Sequence, residues 1–246
     1  MIITVLSTPR SGSTAYTQNI KYTSFGVDSN VIILAELFTA LNKNRYNVDS
    51  GNIKHLVYGW RPGAYYEDME GDQIVKKYQC RKELDKNQEF NKCIDAMLKS
   101  SKNFIVHEHV HLLQEQWVDR LKSVSNSISY IKRNRKEQLS SFAIATYTGV
   151  FINDNGTLWC HGNISNMHEY KLEKFENPII VSEVLSSLIT FRDRVNLSNN
   201  IVATRNIPVV NYEEIIFSDQ ISTKKLSDSS FNRLCTIDQQ LVLELC

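Results

Sequence analysis

The chain has 246 residues, 28 basic against 27 acidic side chains, a formal charge of +1 and 42% apolar content. That is enough to bury a full core in one large domain. The charge balance argues against a general nucleic-acid coat and a strongly basic membrane surface, while leaving room for a local basic pocket around one small anion.

In chain order, residues 2–6 form the first expected strand, followed by an expected helix over 13–22. Further short apolar strands are expected at 103–106, 127–132 and 207–211, with a weaker one at 179–181. Helices are expected at 89–99, 114–123, 137–148 and 181–195, the last carrying Val184, Leu185, Leu188 and Phe191 on one face. Alternation of short strands and longer helices favours an α/β domain with a mainly parallel sheet.

Residues 43–91 differ from the rest. They are rich in Tyr, Gly, Asn and charge, with Trp60-Arg61-Pro62-Gly63 as a breaker. They read as an irregular insertion over the ligand edge of the sheet or as a wandering surface loop, with Trp60, Arg61, Tyr65 and Tyr66 as candidates for a ligand-side wall, since the aromatic faces of Trp60, Tyr65 and Tyr66 suit sugars or flat apolar groups. Asp154-Asn155-Gly156 is a turn that closes a hairpin between 149–152 and 157–160. The tail from Phe231 to Cys246 carries Leu241, Val242 and Leu245, enough for a terminal packing helix. With no internal repeat or interdomain linker, residues 1–246 read as one domain.

Cys80, Cys93, Cys160, Cys235 and Cys246 are odd in number and lack CxxC spacing. Neither a zinc ribbon nor a disulfide framework is expected, and a reduced, cytoplasmic setting is the natural reading. No apolar run reaches the roughly 18 residues of a membrane span, so no stable membrane insertion is expected. Pro9 and Arg10 interrupt the N-terminal apolar run too early for a secretory leader.

The strongest local signal is the junction after the first strand, Ser7-Thr8-Pro9-Arg10-Ser11-Gly12-Ser13-Thr14. A strand, a tight Gly/Ser loop and a helix N-terminus make an anion cradle. Free backbone N–H groups and the positive end of the helix dipole meet where loop becomes helix. Phosphate or sulfate chemistry is the leading expectation.

Pro9-Arg10-Ser11-Gly12-Ser13-Thr14 resembles the 5′-phosphosulfate loop of sulfotransferases that use 3′-phosphoadenosine 5′-phosphosulfate (PAPS). Its arginine form is similar to the bacterial trehalose-type and carbohydrate sulfotransferases. Tyr130-Ile131-Lys132-Arg133-Asn134-Arg135-Lys136-Glu137-Gln138-Leu139-Ser140-Ser141-Phe142 resembles the 3′-phosphate segment of the same family, with Arg133 at the arginine position and Ser141 at the serine position. Arg135 stands where proline is common, and Glu137 where aspartate is common. Asn211-Tyr212-Glu213-Glu214-Ile215 is a third echo, of the family's Tyr-Glu-Asp-Leu segment. The glycine-rich C-terminal nucleotide motif of the cytosolic branch is not visible.

The resemblance implies a three-layer α/β fold related to phosphate-loop proteins, with a mainly parallel sheet and helices on both faces. It implies PAPS as co-substrate, 3′-phosphoadenosine 5′-phosphate (PAP) as product, and a hydroxyl acceptor on a small molecule or glycan, a carbohydrate or glycolipid above all. Arg10 would stabilise charge on the moving group. Ser11, Gly12, Ser13 and Thr14 would hold the phosphosulfate oxygens, and Arg133 and Ser141 the 3′ phosphate.

Two residues compete for the base. Glu36 resembles the acidic residue before an aromatic in the trehalose-type branch, its plain structural reading being an exposed charge on an apolar helix. His109, in Val106-His107-Glu108-His109-Val110-His111, resembles the catalytic histidine of the cytosolic branch, and imidazole suits base work near neutral pH. Alternate residues of a strand share a face, so His107, His109 and His111 permit a metal, but no fourth ligand is evident and none is expected. A phosphate-loop kinase using ATP and magnesium is the enzyme alternative, although GxxxxGK[ST] is absent. A nucleotide- or RNA-binding module built on Lys132-Arg133-Asn134-Arg135-Lys136 is the non-enzyme alternative; nucleic acid is not the expected partner.

Overall fold

A computed structural model describes residues 1–26, 31–42, 67–70, 73–76, 85–148, 150–152, 158–160, 174–218 and 229–246. Five parallel strands form one sheet in the order β2-β5-β1-β6-β9: β1 Ile2–Ser7, β2 Val31–Ala35, β5 Asn103–His109, β6 Ser127–Lys132 and β9 Val209–Asn211. Two antiparallel hairpins stand apart, β3 Glu67–Glu70 with β4 Gln73–Lys76, and β7 Val150–Ile152 with β8 Leu158–Cys160. The helices are α1 Ser13–Ile20, α2 Leu37–Asn42, α3 Lys86–Lys99, α4 Glu115–Val124, α5 Arg135–Thr148, α6 Ser182–Thr204 and α7 Thr236–Leu245.

Strand alternation sorts the sheet's side chains into two faces. Ile2, Leu6, Ile32, Leu34, Phe104, Val106 and Tyr130 pack with apolar residues of α2, α3, α4 and the end of α6. Phe38, Phe90 and Trp117 anchor that layer, the Phe90 and Trp117 rings stacked at 4.8 Å. Each fully buried aromatic there contributes roughly 1.5–3 kcal/mol by leaving water. Ile3, Val5, Ile105 and Ile131 face the other way, against Ile20 and Tyr16 of α1 and against Tyr212. The sheet therefore has helices on both faces. Beside it, α5, α6 and α7 enclose a second core around Leu139, Leu188, Phe191 and Val242.

Several elements differ from expectation for identifiable reasons. Val31-Ile32-Ile33-Leu34 forms an edge strand; a four-residue apolar run carries too little periodicity to declare its type. The strand expected at 103–106 continues to His109, because His107, Glu108 and His109 keep the ladder opposite Val5, Leu6 and Ser7. Residues 179–181 do not join the sheet: the Ile179 and Ile180 N–H groups donate instead to the buried Asp238 carboxylate, at 2.7 and 3.2 Å. The helix expected at 13–22 ends at Ile20 and opens into a π-helical turn, Lys21–Phe25. The one expected at 181–195 runs on to Thr204. Within the expected irregular insertion, the described residues include the β3–β4 hairpin and the start of α3. Asp85 caps that helix by accepting the Asn87 and Gln88 N–H groups.

The topology also marks an edge. From β1 the chain moves out to β2 and returns to β5, then crosses to β6 and continues outward to β9. The direction reverses between β1 and β6, and the crevice beyond the carboxyl ends of strands at such a point is where open α/β sheets bind ligands. Among the described residues, no helix is long and apolar enough to cross a membrane.

Candidate active site

All the described candidates lie along the carboxyl edge of the sheet. Glu36 follows β2, His109 ends β5, Ser7 ends β1 with Arg10 just beyond, Arg133 follows β6, and Tyr212 follows β9. Neighbouring strands lie about 4.8 Å apart, so these residues form one continuous row.

The loop after β1 is tightly fixed. Gln138 of α5 donates its amide to the Thr8 hydroxyl at 2.7 Å and the Pro9 carbonyl at 2.8 Å, and the Ser11 N–H closes a turn onto the Thr8 carbonyl. Arg10 takes a left-handed backbone at φ 62°, uncommon for a residue with a side chain. Gly12 also has positive φ, 82°, and a Cβ there would lie 2.1–2.7 Å from the Tyr212 ring, so only glycine fits. Among the described residues, no side chain caps the N-terminus of α1. The Ser11 hydroxyl is fully buried and meets no hydrogen-bond partner among the described residues. A fixed loop with uncapped helix N–H groups and an orphaned buried hydroxyl has the donor set of an anion cradle. Ser13 is buried and Thr14 exposed at its mouth.

The segments that carry the resemblance meet here. The Arg10 guanidinium donates to the Ser141 hydroxyl through Nε at 3.1 Å and Nη2 at 2.9 Å. Arg133 donates from Nη1 to the Arg10 carbonyl at 3.2 Å and lies over the Tyr212 ring at 5.7 Å. Glu213 accepts the Asn134 N–H at 2.9 Å, at the start of α5. Arg10, Arg133 and Ser141 thus form one polar cluster across the β1–β6 switch point. Arg135 is turned aside, donating to Asn196, so the basic run does not present a uniform cationic strip.

Glu36 and His109 stand next to each other. Glu36 occupies the junction between β2 and α2 with φ 58°, a strained conformation for glutamate, which corrects its reading as a charge on a helix. Its Oε1 lies 3.0 Å from His109 Nε2; the Glu36 side chain is 46% exposed and the imidazole 12%. The other ring nitrogen, Nδ1, meets the Ser7 hydroxyl at 3.0 Å, and the same hydroxyl meets His107 Nε2 at 3.0 Å. Burial pushes His107 down to about 3, the neighbouring His109 adds to this, and Glu36 opposes it, so His107 is neutral.

Glu108 points to the opposite face and accepts the Phe38 and Thr39 N–H groups at 2.8 and 2.9 Å, holding the start of α2. Burial pushes its carboxyl up to about 8 against the pull of those hydrogen bonds. By fastening α2 to β5, Glu108 fixes the junction that carries Glu36.

Ser7, His109 and Glu36 have the composition of an acyl-transfer triad. Ser7 is 0% exposed at the end of a central strand, however, so no acyl substrate reaches its hydroxyl. The exposed end of the chain is the carboxylate.

Trp60, Arg61, Tyr65 and Tyr66 lie outside the described residues. Ser7, Glu108 and Gln138 are the site residues that sequence reasoning did not single out, and it considered His107 only as part of a metal set. The two-residue period placed His107 and His109 on one face, but Ser7 joins them only through the β1–β5 register. Among the described residues, no cluster of three or more His, Cys, Asp or Glu is placed to hold a metal ion. Comparison with models of known protein families and with curated proteins gives no match for this chain.

Proposed function

We propose that the protein is a PAPS-dependent sulfotransferase acting on a hydroxyl acceptor, with a carbohydrate or glycolipid as the favoured class. The observation that carries this reading is the arrangement of donors along one sheet edge. The uncapped α1 N-terminus and buried Ser11 hydroxyl adjoin the Arg10–Ser141–Arg133 cluster. Two strands away, an exposed carboxylate is backed by a histidine. Two anionic groups on one ligand, a 5′ phosphosulfate and a 3′ phosphate, match two adjoining donor clusters.

In this reading the finer fold is that of the phosphate-loop sulfotransferases. The acceptor oxygen attacks sulfur, the bond from sulfur to the 5′-phosphate oxygen breaks, and PAP leaves. Arg10 and the α1 N–H groups meet the charge that grows on the leaving phosphate. The acceptor's proton passes to the Glu36 carboxylate. Glu36 is the better base of the two candidates because it is the more exposed, while both nitrogens of His109 already face partners. His109 orients the carboxylate.

Calorimetric titration with PAP, AMP, ATP and ATP plus magnesium tests the reading. Binding that depends on the 3′ phosphate is expected, followed by sulfuryl transfer from PAPS in an acceptor screen. Preference for ATP plus magnesium would replace this reading with a kinase, and binding to none of them would remove the nucleotide site.

A further inference from the structure

Behind the exposed carboxylate, two imidazoles share one hydroxyl. Ser7 has a single proton to give and faces His109 Nδ1 at 3.0 Å, His107 Nε2 at 3.0 Å and the Glu108 carbonyl at 3.4 Å. The carbonyl is the longest and weakest of the three. A neutral imidazole carries one N–H and one lone pair. His109 must turn its N–H toward the Glu36 carboxylate, since a lone pair there would face a negative oxygen. Its Nδ1 is then an acceptor, and among the described residues only the Ser7 hydroxyl lies there to donate. With that proton committed, Ser7 can only accept from His107.

We propose that Ser7 is a positioning residue for the Glu36–His109 pair: it donates to His109 Nδ1 and accepts from His107 Nε2–H. The four groups form a hydrogen-bond chain running one way, from the buried sheet to the exposed carboxylate. His107, buried and neutral, is the fixed end. The chain holds the His109 ring in the orientation and tautomer that present Nε2–H to Glu36. When Glu36 takes the acceptor's proton on Oε2, its Oε1 still accepts from His109 Nε2–H at 3.0 Å, so the pair is hydrogen-bonded in both states. The parallel register sets this up by placing Ser7 opposite His109 and Val5 opposite His107 on one face.

The catalytic consequence rests on the sulfotransferase reading; the proton arrangement does not. Imidazole ¹⁵N spectra of the full chain, recorded without ligand at alkaline pH, read the tautomers directly. Protonated Nε2 and unprotonated Nδ1 are expected for both His107 and His109. Protonated Nδ1 on His107 would overturn the proposal, because Ser7 would then donate inward. In Ser7→Ala the His109 Nδ1 resonance is expected to move to the value of a nitrogen without a donor; no movement would also overturn it.

For transfer from PAPS, Ser7→Ala is expected to lower kcat about ten- to hundredfold with PAP affinity unchanged. His107→Gln, whose amide N–H stands in for Nε2–H, is expected to retain most of the turnover. An unchanged kcat in Ser7→Ala, or an equal loss of PAP affinity, would overturn the positioning role. Tautomers as expected with no transfer from PAPS would leave the chain standing and remove the sulfotransferase reading instead.

Discussion

Arg10 and Ser141, 131 residues apart in sequence, are joined by two hydrogen bonds from one guanidinium to one hydroxyl. The contact ties the loop after β1 to the helix after β6 across the switch point of the sheet. It places the arginine expected at the phosphosulfate beside the serine expected at the 3′ phosphate. One cationic group thus lies between the two proposed anion positions.

Arg10→Ala is therefore expected to weaken PAP binding by about 1.5–3 kcal/mol, the scale of a hydrogen bond to a charged group. Ser141→Ala is expected to act on PAP and leave AMP unchanged. Calorimetry with both ligands separates the positions: a Ser141→Ala loss shared equally by AMP would contradict its assignment to the 3′ phosphate.

Gly12→Ala is expected to destabilise the fold through two separable effects. A residue with a side chain at φ 82° costs about 1–2 kcal/mol, and the new methyl would overlap the Tyr212 ring. Removing the ring in Gly12→Ala/Tyr212→Ala should return the steric part and leave the backbone part. Denaturant unfolding of the two single variants and the double variant measures the coupling. Strict additivity would mean that the ring does not rest on this glycine.

Glu36 holds a strained backbone to present its carboxylate to His109. Glu36→Gly is expected to be more stable than Glu36→Ala by about 1 kcal/mol, because glycine adopts positive φ without a Cβ clash. Both variants should lose transfer activity. Equal stability of the two would show that the junction relaxes to an ordinary conformation once the pair is broken.

His107 and Glu108, adjacent in sequence and pointing to opposite faces, give the protein a defined pH profile. His107 is lowered from 6.5 to about 3, so between those values the unfolded chain binds the extra proton and stability rises with pH. Glu108 is raised from 4.5 to about 8, so between those values the folded chain holds the extra proton and stability falls with pH. From these two groups, stability should climb from about 3 to 4.5, stay level to about 6.5 and decline toward 8. Unfolding measured across that range should show His107→Gln flattening the acid limb and Glu108→Gln the alkaline limb. Unaltered limbs in both variants would assign the profile to other groups.

Much of the architecture was legible in local pattern. The positions of β1, α1, β6, α5 and the terminal helix follow from apolar runs, periodicity and turn residues, which act within a few residues of one another. The strand β2 was not legible, because four apolar residues specify no period. Nor was the extension of β5 through His107-Glu108-His109, because polar residues enter a ladder only when neighbouring strands and α2 satisfy them.

By itself the sequence determined a strand, loop and helix with Gly12 at the turn, and hence a cradle whose donors come from the backbone of one short stretch. It also supplied Glu36 and His109 as separate candidates for one role. Tertiary structure alone made them a pair, set Ser7 between two imidazoles, and brought Arg10 onto Ser141. Those relationships depend on parallel register and on the crossover from β5 to β6, which join residues 73 to 131 positions apart and leave no trace in local spacing.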